Sequence, residues 1–128
     1  MAVIKVLIVE DAKIAQKVAQ HVLEKLGCTV DVADDGMQAL ELVHNTQYHL
    51  IFMDLGLPNN FDGFLVTQAI RQIDNYQTVP IVALTAHIEE HHRVRATQVG
   101  MNDFLLKPLS LEKAQVILEK NALLPIKT

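Results

Sequence analysis

"IFMDLGLP", residues 51–58, is the stretch on which the fold turns. Three apolar residues, Ile51 to Met53, run into one carboxylate at Asp54, and the chain then breaks on Gly56 and Pro58. A short apolar run closed by turn residues reads as a buried strand, and this one ends by presenting a single acid. Two other stretches end the same way. "VLIVEDA", residues 6–12, closes on Glu10 and Asp11, and "DFLLKP", residues 103–108, closes on the cation Lys107.

Outward from these runs, strand and helix patterns alternate. Val3–Val9 is apolar apart from Lys5 and reads as a buried strand. Residues 12–26 carry apolar side chains at Ala15, Val18, Ala19, Val22 and Leu26, a helical stripe stopped by Gly27. Cys28–Ala33 alternates, as a strand at a sheet edge with one wetter face does. Asp35 and Gln38 resemble a capping box opening a helix to Val43 or His44. His49–Met53 is the third strand, Asp62–Ile73 a helix with Phe64, Leu65, Ala69, Ile70 and Ile73 inward, and Pro80–Leu84 the fourth and most uniformly apolar strand. Residues 88–99 form a helix without a broad apolar stripe, ended by Gly100. Asp103–Leu106 is a fifth strand, and Ser110 caps a last helix with Leu111, Ala114, Ile117 and Leu118 inward, before a tail marked by Pro125.

Five strands alternating with helices imply a doubly wound α/β fold, a parallel sheet covered on both faces. Ligands in such sheets bind beyond the carboxyl ends of the strands. Glu10, Asp11, Asp54, Thr85 and Lys107 all fall at or just past those ends. Taken alone, an acid after a strand is often a helix cap, and Asp11 has that reading before the first helix. The cap does not explain all five positions on one edge.

The totals narrow the function further. The chain has 128 residues, one domain's worth, and half of them are hydrophobic. A formal net charge of −4 argues against nucleic-acid binding. One cysteine, Cys28, excludes an internal disulfide, suits a reducing cytoplasm and reads as a small buried hydrophobe. No apolar run approaches the roughly 20 residues of a membrane span, and the first residues lack a signal peptide's cleavage site. His87, His91 and His92 suggest a metal, but zinc takes three or four ligands and no cysteine is near. A solvated polar helix accounts for them.

Three clustered carboxylates repel one another unless a cation sits among them. Hard oxygen ligands with open positions suit Mg²⁺ beside a phosphate. With Lys107 and Thr85 available for phosphoryl oxygens, the set has the parts of phosphoryl transfer, and Asp54 is its nucleophile.

The set "VEDA", "MDLGLP", "LTAH" and "LLKP" resembles the receiver domain of two-component response regulators, in that order and over nearly the whole chain. The resemblance implies a flavodoxin-like three-layer α/β/α fold with strand order 2-1-3-4-5. It implies phospho-acceptance by Asp54 and Mg²⁺ on Glu10, Asp11, Asp54 and the Gly56 carbonyl. Thr85 and Lys107 would contact the phosphoryl group, Thr85 and Phe104 would act as the switch, and the bond before Pro108 would be cis. The donor it implies is a phosphohistidine on a sensor histidine kinase or a histidine phosphotransfer domain. Residues 1–128 would be one receiver domain without an output domain, working by protein contact or onward phosphotransfer, with dimerisation through the face of helix 4, strand 5 and helix 5. "PIVALTAH" and "GMNDFLLKPL" are most similar to receivers of hybrid sensor kinases and phosphorelays.

The chain departs from the family pattern at three points. Glu10 stands where Asp is commoner, the loop from Pro58 to Gly63 is one residue longer, and Gly56 leaves His87 as the side chain at the mouth. The rival functions are weaker. An aspartyl-phosphate hydrolase of the haloacid-dehalogenase type needs a second Asp where this chain has Gly56. A flavodoxin-like cofactor binder needs a phosphate cradle where "EDAKIAQ" presents acids. A phosphate-independent scaffold would not retain the acceptor set.

Overall fold

Strands and helices alternate strictly over residues 3–124, which the computed structural model describes. The strands are β1 (Lys5–Val9), β2 (Thr29–Ala33), β3 (Leu50–Asp54), β4 (Ile81–Thr85) and β5 (Asp103–Leu106). The helices are α1 (Lys13–Lys25), α2 (Gly36–Asn45), α3 (Gly63–Arg71), α4 (Glu90–Val99) and α5 (Leu111–Lys120). All pairings are parallel, in the order β2-β1-β3-β4-β5, as expected. The tail at Pro125 lies outside the described residues.

Side-chain alternation divides the molecule into two cores. Leu7, Val9, Ile51, Met53, Ile81 and Ala83 pack on one face with residues of α2 and α3 and Ala96 of α4. Val6, Ile8, Leu50, Phe52, Val82 and Leu84 pack on the other with α1 and α5. The three central strands are therefore apolar on both sides, as strands covered on both faces must be. Beyond the strand tips the parity continues: Glu10 follows Ile8, Asp54 follows Phe52, and Lys107 follows Leu105, all on the α1/α5 side. Thr85 and Phe104 share parity with Ala83 or lie opposite it, on the side of α4.

The caps read from the sequence at Asp35 and Ser110 are present, and Asp62 adds a third. Asp35, Asp62 and Ser110 each accept a hydrogen bond from the amide three residues on. The Gln38 side chain, however, accepts from the Asp34 amide rather than closing a box on Asp35. Gly100 ends α4 at φ 101°, a backbone region glycine enters freely.

Three helix faces differ from the expected stripes. In α1 the buried residues are Gln16, Ala19 and Leu23, while Val18 is 38 % and Ile14 80 % exposed. The helix is rotated because the Gln16 amide donates to the Glu10 carbonyl and the Asp34 carboxylate, drawing a polar side chain inward. In α3, Val66 and Thr67 are buried and Leu65 is exposed. In α5, Leu111 is exposed, while Ala114, Ile117 and Leu118 are buried as expected.

At the edge opposite the acids, Arg71 closes α3. Its guanidinium donates to the carbonyls of Tyr76, Val79 and Gly100 and to the Asn102 side chain, at 2.6–3.1 Å. Asn102 in turn accepts from the Ile81 amide. One side chain thus satisfies backbone groups before β4 and at the end of α4 that would otherwise lack partners.

Candidate functional site

The acids expected at one edge do converge. Oxygens of Glu10, Asp11 and Asp54 lie within 4.8 Å of one another. Asp11 is exposed, but Glu10 is only 2 % and Asp54 5 % exposed. Lys107 reaches in from the end of β5, placing Nζ 2.6 Å from Glu10 Oε1 and 3.1 Å from Asp54 Oδ1. The Lys107–Pro108 bond is cis, as the family pattern implies.

Burial is the dominant influence on Glu10 and pushes its pKa up, against the opposing pull of the Lys107 ammonium and the Ala12 amide. For Lys107, burial works to lower the pKa. The Glu10 and Asp54 carboxylates outweigh it and hold the ammonium above its ordinary value. The pocket is thus short of positive charge, with one cation facing three carboxylates.

Glu10 Oε1 is buried and pairs with the Lys107 ammonium. Three carboxylates whose oxygens lie this close, with one ammonium beside them, fit a hard divalent cation of the Mg²⁺ type, whose ligands are oxygens. The second oxygen of Glu10 accepts a hydrogen bond from the Ala12 amide, which fixes the side chain in place.

The remaining residues line the mouth differently from one another. The Gly56 amide donates to Asp54 Oδ1 at 3.2 Å. The Thr85 hydroxyl donates to the His87 carbonyl at 2.9 Å, so it is engaged by its own loop. Phe104 is half-buried on the α4 side and packs against the core beside Ala83. In the loop after β3, Asn59 (φ 68°) and Asn60 (φ 56°) take two successive left-handed conformations.

Two contributors were not anticipated. Gly63, the first residue of α3, sits so close to β3 that a Cβ there would lie 2.2 Å from the Asp54 carbonyl oxygen. Gln16 ties α1 to the backbone of Glu10. The apolar pattern after Asp62 announces the helix but not the close approach, which depends on strand and helix meeting in space.

The histidines gain a carboxylate neighbour, Glu89, with His91 Nε2 at 3.2 Å and His92 Nδ1 at 3.5 Å. His91 and Glu89 are largely exposed, and these are the distances of solvated Glu–His pairs on a polar helix start.

The Response regulator receiver domain family matches residues 6–119 of the chain. The chain belongs to this family. As a receiver it is 39 % identical over 120 residues to the transcription factor SKN7 of Candida albicans, covering 94 % of this chain and 21 % of that protein. It is 37 % identical to the osmosensing histidine protein kinase SLN1 of Saccharomyces cerevisiae, covering 90 % of this chain and 10 % of that one. The chain therefore spans about a fifth or less of the curated relatives it matches. Among solved structures, the receiver domain of sensor histidine kinase PA1611 from Pseudomonas aeruginosa has a TM-score of 0.84 and 39 % identity, covering 93 % of this chain and 97 % of that one. That protein carries a magnesium ion coordinated in its active-site cleft. The chemotaxis protein CheY4 of Vibrio cholerae has a TM-score of 0.88 and 28 % identity, covering 93 % and 98 %. Receivers of this family act in two-component signalling, and the expected likeness to hybrid-kinase receivers is borne out: Dictyostelium discoideum hybrid kinases are also among the relatives.

Proposed function

We propose that the receiver accepts a phosphoryl group on Asp54 from a phosphohistidine. The observation that carries this is the buried Asp54 held by Lys107 at 3.1 Å within a cluster of three carboxylates. A carboxylate oxygen of Asp54 attacks phosphorus, the P–N bond to the imidazole breaks, and its electron pair leaves on the ring nitrogen, which takes up a proton from solvent. Lys107, paired with Asp54 before transfer, turns to a phosphoryl oxygen as the new group arrives. Thr85 gives up its bond to the His87 carbonyl to take another.

Glu10, Asp11, Asp54 and the Gly56 carbonyl are the residues that would hold Mg²⁺. When bound, the ion supplies the positive charge this pocket is short of, against the phosphoryl oxygens.

The donor is a sensor histidine kinase or a histidine phosphotransfer domain. A groove of about 420 Å³ between α1 and the β5–α5 loop supports this. It is walled by Ile14, Ala15, Val18, Pro108 and Leu109 and ends on Glu10 and Lys107, so an apolar helix seated there brings its histidine to the acids. Residues 1–128 form one receiver domain that works in the cytoplasm. No helix among the described residues is long and apolar enough to cross a membrane. Exposed Val94, Leu106 and Val116 on α4, β5 and α5 offer the dimer face. The domain turns over no outside substrate. Its own acyl phosphate hydrolyses slowly, at a rate that Gly56 and His87 set by admitting water.

Incubation with acetyl phosphate and Mg²⁺ tests the assignment. Uptake of one phosphoryl group, detected by intact mass, is expected in the wild type and absent in Asp54→Asn. Uptake that persists in Asp54→Asn, or that needs no divalent ion, refutes it.

A further inference from the structure

The guanidinium carbon of Arg93, one turn into α4, lies 5.1 Å from the centroid of the Phe104 ring. The carboxylate nearest it is weakly placed: Glu90 Oε2 is 3.9 Å from Arg93 Nε, on a side chain 81 % exposed. Exposed pairs at that distance orient little, so the ring is the firmer contact. A cation over an aromatic face is attracted by the ring's quadrupole.

Three features put this contact where it can matter. Phe104 stands opposite Ala83 on the face shared with Thr85, so the ring and the hydroxyl are diagonal neighbours across the β4–β5 pair. The start of α4 is lightly held, with Ala96 its one buried residue and no side-chain cap on its first turn. The far end is fastened by Arg71 to the Gly100 carbonyl. The Thr85 hydroxyl meanwhile donates to its own loop and Lys107 bridges Glu10 and Asp54, so the Arg93–Phe104 contact belongs to the resting arrangement of the site.

We propose that Arg93 is a positioning residue that keeps the Phe104 ring in its resting place against α4, and so sets how readily the switch turns. This rests on the reading of Asp54 and Phe104 given above. Any rearrangement that carries the ring away from the start of α4 must break the stack. A ligand shifts two states only by the difference in its interactions with them, so the stack opposes every ligand that favours the moved ring. A partly exposed cation–π contact weights the equilibrium by about two- to fivefold.

The test is calorimetric titration of the full chain with beryllofluoride in excess Mg²⁺, a stable mimic of the phosphoryl group. Arg93→Met, which keeps the length and removes the charge, is expected to bind about two- to fivefold more tightly. Arg93→Lys, which restores a cation, should return toward wild type. In Phe104→Leu the Arg93→Met change should have no further effect, because the ring it acts on is gone. Equal affinities for wild type and Arg93→Met overturn the proposal, as does an undiminished Arg93→Met effect in the Phe104→Leu background. A wild type that takes up beryllofluoride while Asp54→Asn does not keeps the Asp54 reading standing whichever way Arg93 falls. A wild type that binds none removes both.

Discussion

Adding one methyl group at Gly63 should damage both stability and phosphoryl uptake. A Cβ there would lie 2.2 Å from the Asp54 carbonyl oxygen and 3.0 Å from both the Asp54 carbonyl carbon and the Leu55 Cα. Close carbon–oxygen contacts settle near 3.3 Å, so about 1 Å must be found. The obstructing atoms are backbone of a buried strand end, which does not rotate aside as a side chain does. Retreat of α3 is opposed as well, because the Gly63 amide donates to the Leu55 carbonyl at 3.1 Å. Gly63→Ala gains at most ~1 kcal/mol in helix preference, against an overpacking cost of about 1–3 kcal/mol. With that full gain set against the upper end of the cost, we expect a net loss of up to about 2 kcal/mol in urea unfolding. The larger effect should be on chemistry, since displacing a reacting group by about 1 Å costs on the order of 10²-fold in rate. Phosphoryl uptake from acetyl phosphate with Mg²⁺ reads that effect directly. A Gly63→Ala protein as stable as wild type and labelled at the same rate would refute the claim that α3 is seated on the carbonyl of Asp54.

Three further outcomes follow from the same geometry. Arg71→Met leaves the carbonyls of Tyr76, Val79 and Gly100 short of a donor, and should cost about 2–4 kcal/mol in urea unfolding while leaving the acid cluster in place. Burial, and then the bond to Asp31, pushes the Tyr48 phenol far above its ordinary value. The unfolded chain releases that proton from about pH 10 while the folded chain keeps it, so the stabilisation is full below about pH 10 and is lost as pH rises. Burial raises Tyr76 in the same direction, and Glu10 and Asp54 raise Lys107. Tyr48→Phe should therefore show a shallower alkaline fall in melting temperature than wild type. His87→Ala should change the decay rate of the labelled protein severalfold by altering water access, and an unchanged decay measured by intact mass would remove His87 from the mouth.

Most of the architecture was legible because each element carries its own signal. The central strands are short apolar runs, Asp35 and Ser110 are caps, and Gly100 is a stop, all local in sequence. The meeting of Glu10, Asp54 and Lys107 was legible through topology, since parallel strands bring their carboxyl ends to one edge. What was not legible depends on distant partners. Gln16 replaces Val18 on the inner face of α1 because Asp34 and the Glu10 carbonyl are there to receive its amide. Leu111 breaks the α5 stripe and lies exposed at the start of the helix. Gly63 reads as one more turn glycine until α3 is docked, and the match of Arg93 to Phe104 exists only when α4 and β5 lie side by side.

Arg71 carries an implication for how such a molecule can change. Its hydrogen bonds fasten the amino-terminal floor of the sheet, at the far end of the strands from Asp54 and Lys107. Because that floor does not depend on the rim for cohesion, substitutions among the rim loops can retune timing or partner choice without loosening the foundation. The molecule is divided between a part that must stay fixed and a part free to be rewritten.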